Sequence, residues 1–225
     1  WADKNGADIV NSSLGYSLFF YQPADMDGTS FTAHAADIAA SKGMLICVAM
    51  GNTHGDWTTI TTPADAEKVL SVGAAACLDY DLRVAYYSCE GPTADHRLKP
   101  NVVAYGDFSV MDYVDEEMGT SFATPLVAGF AACVLQQHRD WRGDQLKTAI
   151  EQSASLYPYY NYSVGYGIPK ASFFFPDSLS EKQPTFQVET TDTALIFHPL
   201  VKGSQLFYSI QDTTGFLVEY GSYTS

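Results

Sequence analysis

Two stretches of the chain, Met44 to Met50 and Val69 to Ala76, are apolar almost without interruption, and a third, Ala7 to Gly15, has an apolar centre at Ile9-Val10 and reads as a short buried strand closed by glycine. Unbroken runs of this length, closed by glycine or polar residues, predict strands buried on both faces rather than strands with a wet side. Between them, Thr29 to Lys42 carries apolar residues at helical spacing (Thr32, Ala35, Ala36, Ile38, Ala39, Ala40), with Lys42 and Gly43 as its end signals. The most apolar long stretch, Phe122 to Leu135, is apolar on every side of a helical wheel and predicts a central, buried helix, with Pro125 tolerated in its first turn. Asp144 is positioned to cap a second helix that places Leu146, Ala149, Ile150 and Ala154 on one face. Trp1 to Gly6 reads as the last turn of a helix closed by a left-handed glycine. Strands alternating with helices predict an α/β fold with a mostly parallel central sheet between helical layers.

From Gln183 the pattern changes to alternating β-branched and aromatic residues, which predicts short strands with turns at Gly203 and Gly215. About forty residues are too few for an independent β domain. They are either the start of a truncated β-sandwich or strands packed on the main body.

Composition narrows the function classes. A chain of 225 residues with a net charge of −14 and a pI near 4.5 is a poor partner for nucleic acid or an anionic membrane. It contains no run of eighteen apolar residues free of charge, so no membrane span is expected, and nothing at its start reads as a signal peptide. The acidic balance suits an exported protein, secreted or held in the cell envelope. The four cysteines, Cys47, Cys77, Cys89 and Cys133, have no metal-like spacing and are expected as free thiols, with Cys47 and Cys133 as small core residues. Asp25-Met26-Asp27-Gly28 has the opening of a calcium loop but not its remaining ligands, so it reads as a solvated turn. No metal and no cofactor are expected.

The chemistry gathers at the start of the apolar helix. Ser121 follows Gly119 and Thr120 where free backbone N–H groups and the positive end of the helix dipole favour developing negative charge. That environment suits a nucleophile attacking a carbonyl, although capping is the commoner role of such a serine. Likewise Gly51-Asn52 after a buried strand serves as a turn in many proteins, and Ser13-Leu14-Gly15 reads as a core strand with a glycine stop.

Taken together and in order, these stretches resemble the subtilisin-like serine proteases, or subtilases. Gly119-Thr120-Ser121-Phe122-Ala123-Thr124-Pro125 with Val127-Ala128-Gly129 is similar to that family's Gly-Thr-Ser-x-Ala-x-Pro nucleophile motif. Ser13-Leu14-Gly15 resembles the strand whose edge pairs with extended substrate, and Gly51-Asn52 resembles the family's Ala-Gly-Asn, with Met50 in place of the small residue. Val69 to Ala74, Val84 to Pro92, Lys99 to Gly106 and Gly165 to Pro169 resemble further family elements, with Asn101 and Tyr105 departing from Lys-Pro-Asp-Val-x-Ala-Pro-Gly. The resemblance covers about residues 1–175 and implies a three-layer, subtilisin-like fold. We divide the chain as residues 1–178, the C-terminal portion of a peptidase domain, and residues 179–225, a β-rich extension.

The resemblance implies Ser121 as nucleophile, with its own N–H and the Asn52 amide stabilising the oxyanion. Ser13, Leu14, Gly15, Gly51, Gly119 and Thr120 become the expected substrate-binding residues, and a peptide or protein the expected partner. The family's triad runs in the order Asp, His, Ser, yet all five histidines (His34, His54, His96, His138, His198) follow Ser13-Leu14-Gly15. None has the glycine-rich flank of a catalytic histidine. The expectation is a serine endopeptidase whose aspartate and histidine come from an N-terminal segment outside this chain; the alternative is a non-catalytic binding or structural protein that retains the scaffold.

Overall fold

The computed structural model describes residues 1–17, 19–53, 56–78, 81–109, 116–174, 186–191, 194–200, 205–212 and 217–224. A five-stranded sheet contains β1 (Ile9–Ser12), β2 (Leu45–Ala49), β3 (Leu70–Leu78), β4 (Asp81–Val84) and β5 (Val102–Tyr105). The pairs β1–β2, β2–β3 and β3–β5 run parallel, with Ile9 opposite Leu45, Cys47 opposite Leu70 and Val72 opposite Val102. β4 folds back antiparallel on β3.

Why the runs are unbroken is clear at β2, where every residue is buried. Side chains alternate across a strand. Leu45 and Cys47 join a core with Ala123, Val127, Ala131 and Val134 of α2 (Thr120–Gln137) and Leu146 and Ile150 of α3 (Gly143–Ser153). Ile46 and Val48 enter a second core with Met26, Trp57, Ile60 and Ala33 of α1 (Phe31–Ser41). Helices therefore cover both faces, giving the three-layer α/β arrangement that the pattern predicts. Ser30 caps α1 by accepting from the Ala33 N–H at 3.0 Å, and Gly43 follows its end at φ 103°. At the start of the chain the expected helical turn is a single 3-10 turn, Asp3–Asn5, closed by Gly6 at φ 74°.

Five details differ from the sequence-based expectation. β1, at the edge of the sheet, is half-buried rather than buried, with Asn11 exposed. The helix α2 is not buried all round: Thr120, Ala123, Thr124, Val127, Ala128, Ala131 and Val134 form its buried stripe, whereas Pro125, Leu126 (55% exposed), Gly129 and Ala132 are exposed. Cys133 lies on that outer face, so it is an exposed thiol rather than a core residue. Pro125 is the sixth residue of α2, one turn deeper than expected. Finally, α3 is flanked by Arg142, whose N–H donates to Gln145 Oε1 at 2.9 Å, and Asp144 lies inside the first turn. Gly143 lets that turn press on the Met44 backbone, where any side chain would collide.

Cys47 and Cys89 are buried thiols whose pKa burial pushes up to about 12. In the 22–29 loop the carboxylates serve their own turns: Asp25 accepts from the Gln22 N–H at 2.8 Å, and Asp27 from the Thr29 N–H and hydroxyl at 3.0 and 2.6 Å. Two short strands, β6 (Asp107–Ser109) and β7 (Glu116–Met118), pair antiparallel just before α2. The C-terminal residues form two hairpins, β8 (Phe186–Thr190) with β9 (Leu195–Pro199) and β10 (Gln205–Gln211) with β11 (Leu217–Thr224). The second packs on the main body through buried Leu217 against Tyr160 and Tyr162. The expected turns at Gly203 and Gly215 lie outside the described residues.

A buried cation spans the base of β3 and β5. Lys99, 2% exposed, donates to the Val69 carbonyl at 3.1 Å and to Asn101 Oδ1 at 3.2 Å. Asn101 stands where the family motif has aspartate, and its Nδ2 passes the contact on to Glu151 Oε1 at 2.7 Å. Burial, then the Lys147 charge, pull the Lys99 pKa down from 10.5 to about 7, with Glu151 opposing. A base with a depressed folded pKa leaves the unfolded chain holding more protons between those two values, so stability rises with pH there. Urea denaturation should therefore show stability increasing from pH 7 to 9, and Lys99→Met should remove that slope; equal slopes for the two proteins would contradict this placement of the charge.

Candidate active site

Because β1 and β2 are parallel neighbours, their C-terminal ends open on the same side of the sheet, where sites in parallel α/β sheets form. Ser13-Leu14-Gly15 continues from β1 and Met50-Gly51-Asn52 from β2. The N-terminus of α2 is delivered to the same place through Gly119, whose N–H donates to the Gly106 carbonyl at 2.9 Å. All the site residues expected from the sequence thus meet at one edge.

The first turn of α2 is tied to both strand ends. Asn52 Oδ1 accepts from the Thr120 N–H at 2.9 Å and the Thr120 hydroxyl at 3.0 Å, and Thr120 Oγ1 accepts from the Gly51 N–H at 3.2 Å. A backbone N–H can only donate, so the amide orientation is fixed: Oδ1 faces the Thr120 N–H, and Nδ2 is left beside Gly119. A methyl built on Gly119 would stand 3.0 Å from that Nδ2, so glycine leaves the amide its place. On the other side, the Ser13 hydroxyl donates to the Ser121 carbonyl at 2.9 Å. That carbonyl is free because Pro125, four residues on, has no N–H to offer it.

Ser121 Oγ lies 3.4 Å from the Ser13 carbonyl oxygen. Among the described residues, neither the Ser121 N–H nor Asn52 Nδ2 has an acceptor. A hydroxyl flanked by two unpartnered donors at the positive end of an 18-residue helix is an arrangement that welcomes negative charge on an attacked carbonyl oxygen. The Tyr87 hydroxyl donates to Asp107 Oδ1, at the start of β6, at 2.5 Å; burial and that carboxylate raise its pKa.

Among the described residues, no histidine is hydrogen-bonded to Ser121. His34 is in α1, and His138 ends α2 stacked on Trp141 at 3.9 Å. His198 bonds to Glu189 in the C-terminal hairpin, and His54 lies outside the described residues. The only bond of the Ser121 hydroxyl among the described residues is to Ser13.

Comparison with known proteins decides the family. The Peptidase S8 subtilase family profile matches residues 1–167. The chain belongs to the subtilase family. The serine protease AprX of Bacillus subtilis is 34% identical over 167 residues, covering 64% of this chain and 37% of that protein. Subtilisin DY of Bacillus licheniformis is 30% identical over 157 residues, covering 69% of this chain and 52% of that one. A crystal structure of MycP1 from Mycobacterium smegmatis shares the fold, with a TM-score of 0.62 over 84% of this chain and 56% of its own, at 24% identity. The chain thus spans about half or less of the length of these curated subtilases.

One residue, Thr61, and one role, that of Thr120 toward Asn52, escaped the sequence reading. Thr120 belongs to the motif, but nothing in the string shows that it orients Asn52. Thr61 reads as part of a turn before Pro63, yet its side chain stands between Gly15 and Gly51. The link between Ser13 and Pro125 is open to a double-mutant cycle. Ser13→Ala should cost about 1–2 kcal/mol in the native background, since it strands a carbonyl. It should cost clearly less beside Pro125→Ala, whose N–H reaches the same carbonyl; additive losses in urea denaturation would contradict the link.

Proposed function

We propose that the protein of which this chain is part is a serine endopeptidase that cleaves peptide bonds through an acyl-enzyme on Ser121. The observation that carries the reading is the pair of unpartnered donors, Asn52 Nδ2 and the Ser121 N–H, beside the Ser121 hydroxyl. An extended substrate pairs with the backbone of Ser13 to Gly15, whose Leu14 is 59% exposed. Gly51, Gly119 and Thr120 flank its scissile bond. Ser121 Oγ attacks the carbonyl carbon as a histidine takes its proton, and the oxyanion receives hydrogen bonds from Asn52 and Ser121. Collapse breaks the C–N bond, the histidine returns the proton to the leaving amine, and water then hydrolyses the ester by the same steps in reverse.

That histidine and its aspartate come from a segment outside this chain. The support is a matching surface: β1 ends the sheet among the described residues, and the outer face of α2 beside it offers Leu126, Gly129, Ala132 and Cys133. A parallel edge strand beside an apolar helix face is the surface that a further strand and helix bury. In this reading residues 1–178 are the nucleophile-bearing portion of the peptidase domain, residues 179–225 an appended β-rich extension, and the acidic protein works outside the cytoplasm, secreted or in the envelope. Peptide substrate is its partner. No helix among the described residues is long and apolar enough to cross a membrane.

The other reading, a non-catalytic scaffold, is favoured by the lack of a histidine beside Ser121 among the described residues. A fluorophosphonate probe separates them: the full-length protein should be labelled at Ser121 and Ser121→Ala should not. Absence of labelling in the full-length protein favours the scaffold. Asn52→Ala should lower kcat by about 10²–10³ with KM changed only a few-fold, a magnitude known for the corresponding donor in a subtilisin and carried over to this relative.

A further inference from the structure

We propose that Thr61 is the floor of the substrate's side-chain slot and restricts cleavage to bonds that follow small residues. The inference rests on the endopeptidase reading of Ser121 and adds its substrate class. A carbonyl carbon within attack distance of Ser121 Oγ, roughly 3–3.5 Å, belongs to a residue lying beside the Ser13–Gly15 backbone, because Ser121 Oγ is itself 3.4 Å from the Ser13 carbonyl oxygen. With its oxygen turned to Asn52, the side chain of that residue enters between the two segments that end β1 and β2. Each of those segments has a glycine at this point, Gly15 and Gly51.

Both glycines face the same side chain. A methyl built on Gly15 would stand 2.6 Å from Thr61 Oγ1, and one built on Gly51 would stand 2.5 Å from Thr61 Cγ2 and 2.6 Å from its Oγ1. Thr61 therefore spans the gap from wall to wall. It is also held there. Its N–H and hydroxyl donate to the Met50 carbonyl at 3.1 and 3.3 Å, and the next carbonyl, of Thr62, accepts from the Tyr16 N–H at 2.9 Å. Thr61 is thus pinned to both walls through the backbone, and it is 4% exposed. A β-branched side chain has little rotamer freedom with which to step aside. What remains above it suits hydrogen, a methyl or a hydroxymethyl group, not a branched or aromatic side chain. The residue donating the attacked carbonyl is glycine, alanine or serine.

The test compares peptide p-nitroanilides that differ only in the last residue (Gly, Ala, Leu or Phe), using the full-length protein. The small residues should exceed leucine and phenylalanine in kcat/KM by at least about tenfold, the scale on which pocket shape discriminates apolar side chains. Thr61→Gly should raise the Phe-to-Ala ratio by at least about tenfold. Thr61→Ser, which keeps the hydroxyl and loses only the methyl, should raise it by less, and serves if the glycine variant folds poorly. A wild-type preference for leucine or phenylalanine, or a ratio unmoved in folded variants, overturns the assignment. The fluorophosphonate, which carries no peptide side chain, tells two failures apart. Labelling of Ser121 with the wrong substrate order removes the slot assignment alone, and no labelling removes the endopeptidase reading and the slot together.

Discussion

A helix begins with N–H groups that have no partner inside it, and in α2 the way those groups are met determines everything else at this edge of the sheet. One of them, on Thr120, is given to the Asn52 side chain at 2.9 Å. The next, on Ser121, has no acceptor among the described residues. The carbonyl that Pro125 leaves unmet is taken by the Ser13 hydroxyl. These bonds fasten the end of β1, the end of β2 and the start of α2 to one another, and they leave two donors and one hydroxyl facing the same space. The same Asn52–Thr120 contact that closes the helix end sets the direction of the amide. Structure and chemistry share one hydrogen bond.

Preorganisation of this kind depends on what lies behind it. β2 is buried on both faces, and α2 lies across β1, β2, β3 and β5, so the strand ends do not drift relative to the helix. Lys99 and Asn101 join Val69 and Ser71 at the start of β3 to the residues leading into β5. The charge complement has moved outward to Glu151, reached through the Asn101 amide. A buried ammonium without a direct carboxylate partner is costly at neutral pH. The sheet tolerates it because apolar burial on both faces carries the fold.

Much of the fold could be read from the string, because the buried strand β2 and the start of β3 appear as unbroken apolar runs. The site residues could be read because each sits in a motif, and the motifs occur in a fixed order. What escaped depends on partners distant in sequence. The helix α2 is apolar on all sides, and only the sheet shows that Leu126 and Cys133 lie on the side away from it. Pro125 looks like a first-turn proline until Ser13, 108 positions from Ser121, is seen holding the carbonyl it leaves open. Asp144 is a good cap by type, yet the close approach of Gly143 to β2 moves the helix start upstream. Thr61 carries no local sign that two glycines owe their lack of a side chain to it.

The most direct measurement is a crystal structure of the full-length protein with Ser121 esterified by a tetrahedral phosphonate, whose charged oxygen stands in for the oxyanion. The expected result is that this oxygen accepts from both Asn52 Nδ2 and the Ser121 N–H at about 2.7–3.1 Å, with the Thr120 bonds to Asn52 Oδ1 intact. An adduct whose oxygen points away from Asn52, or an Asn52 amide turned to present Oδ1, would contradict the claim that the first turn of α2 is an oxyanion site built in advance of substrate.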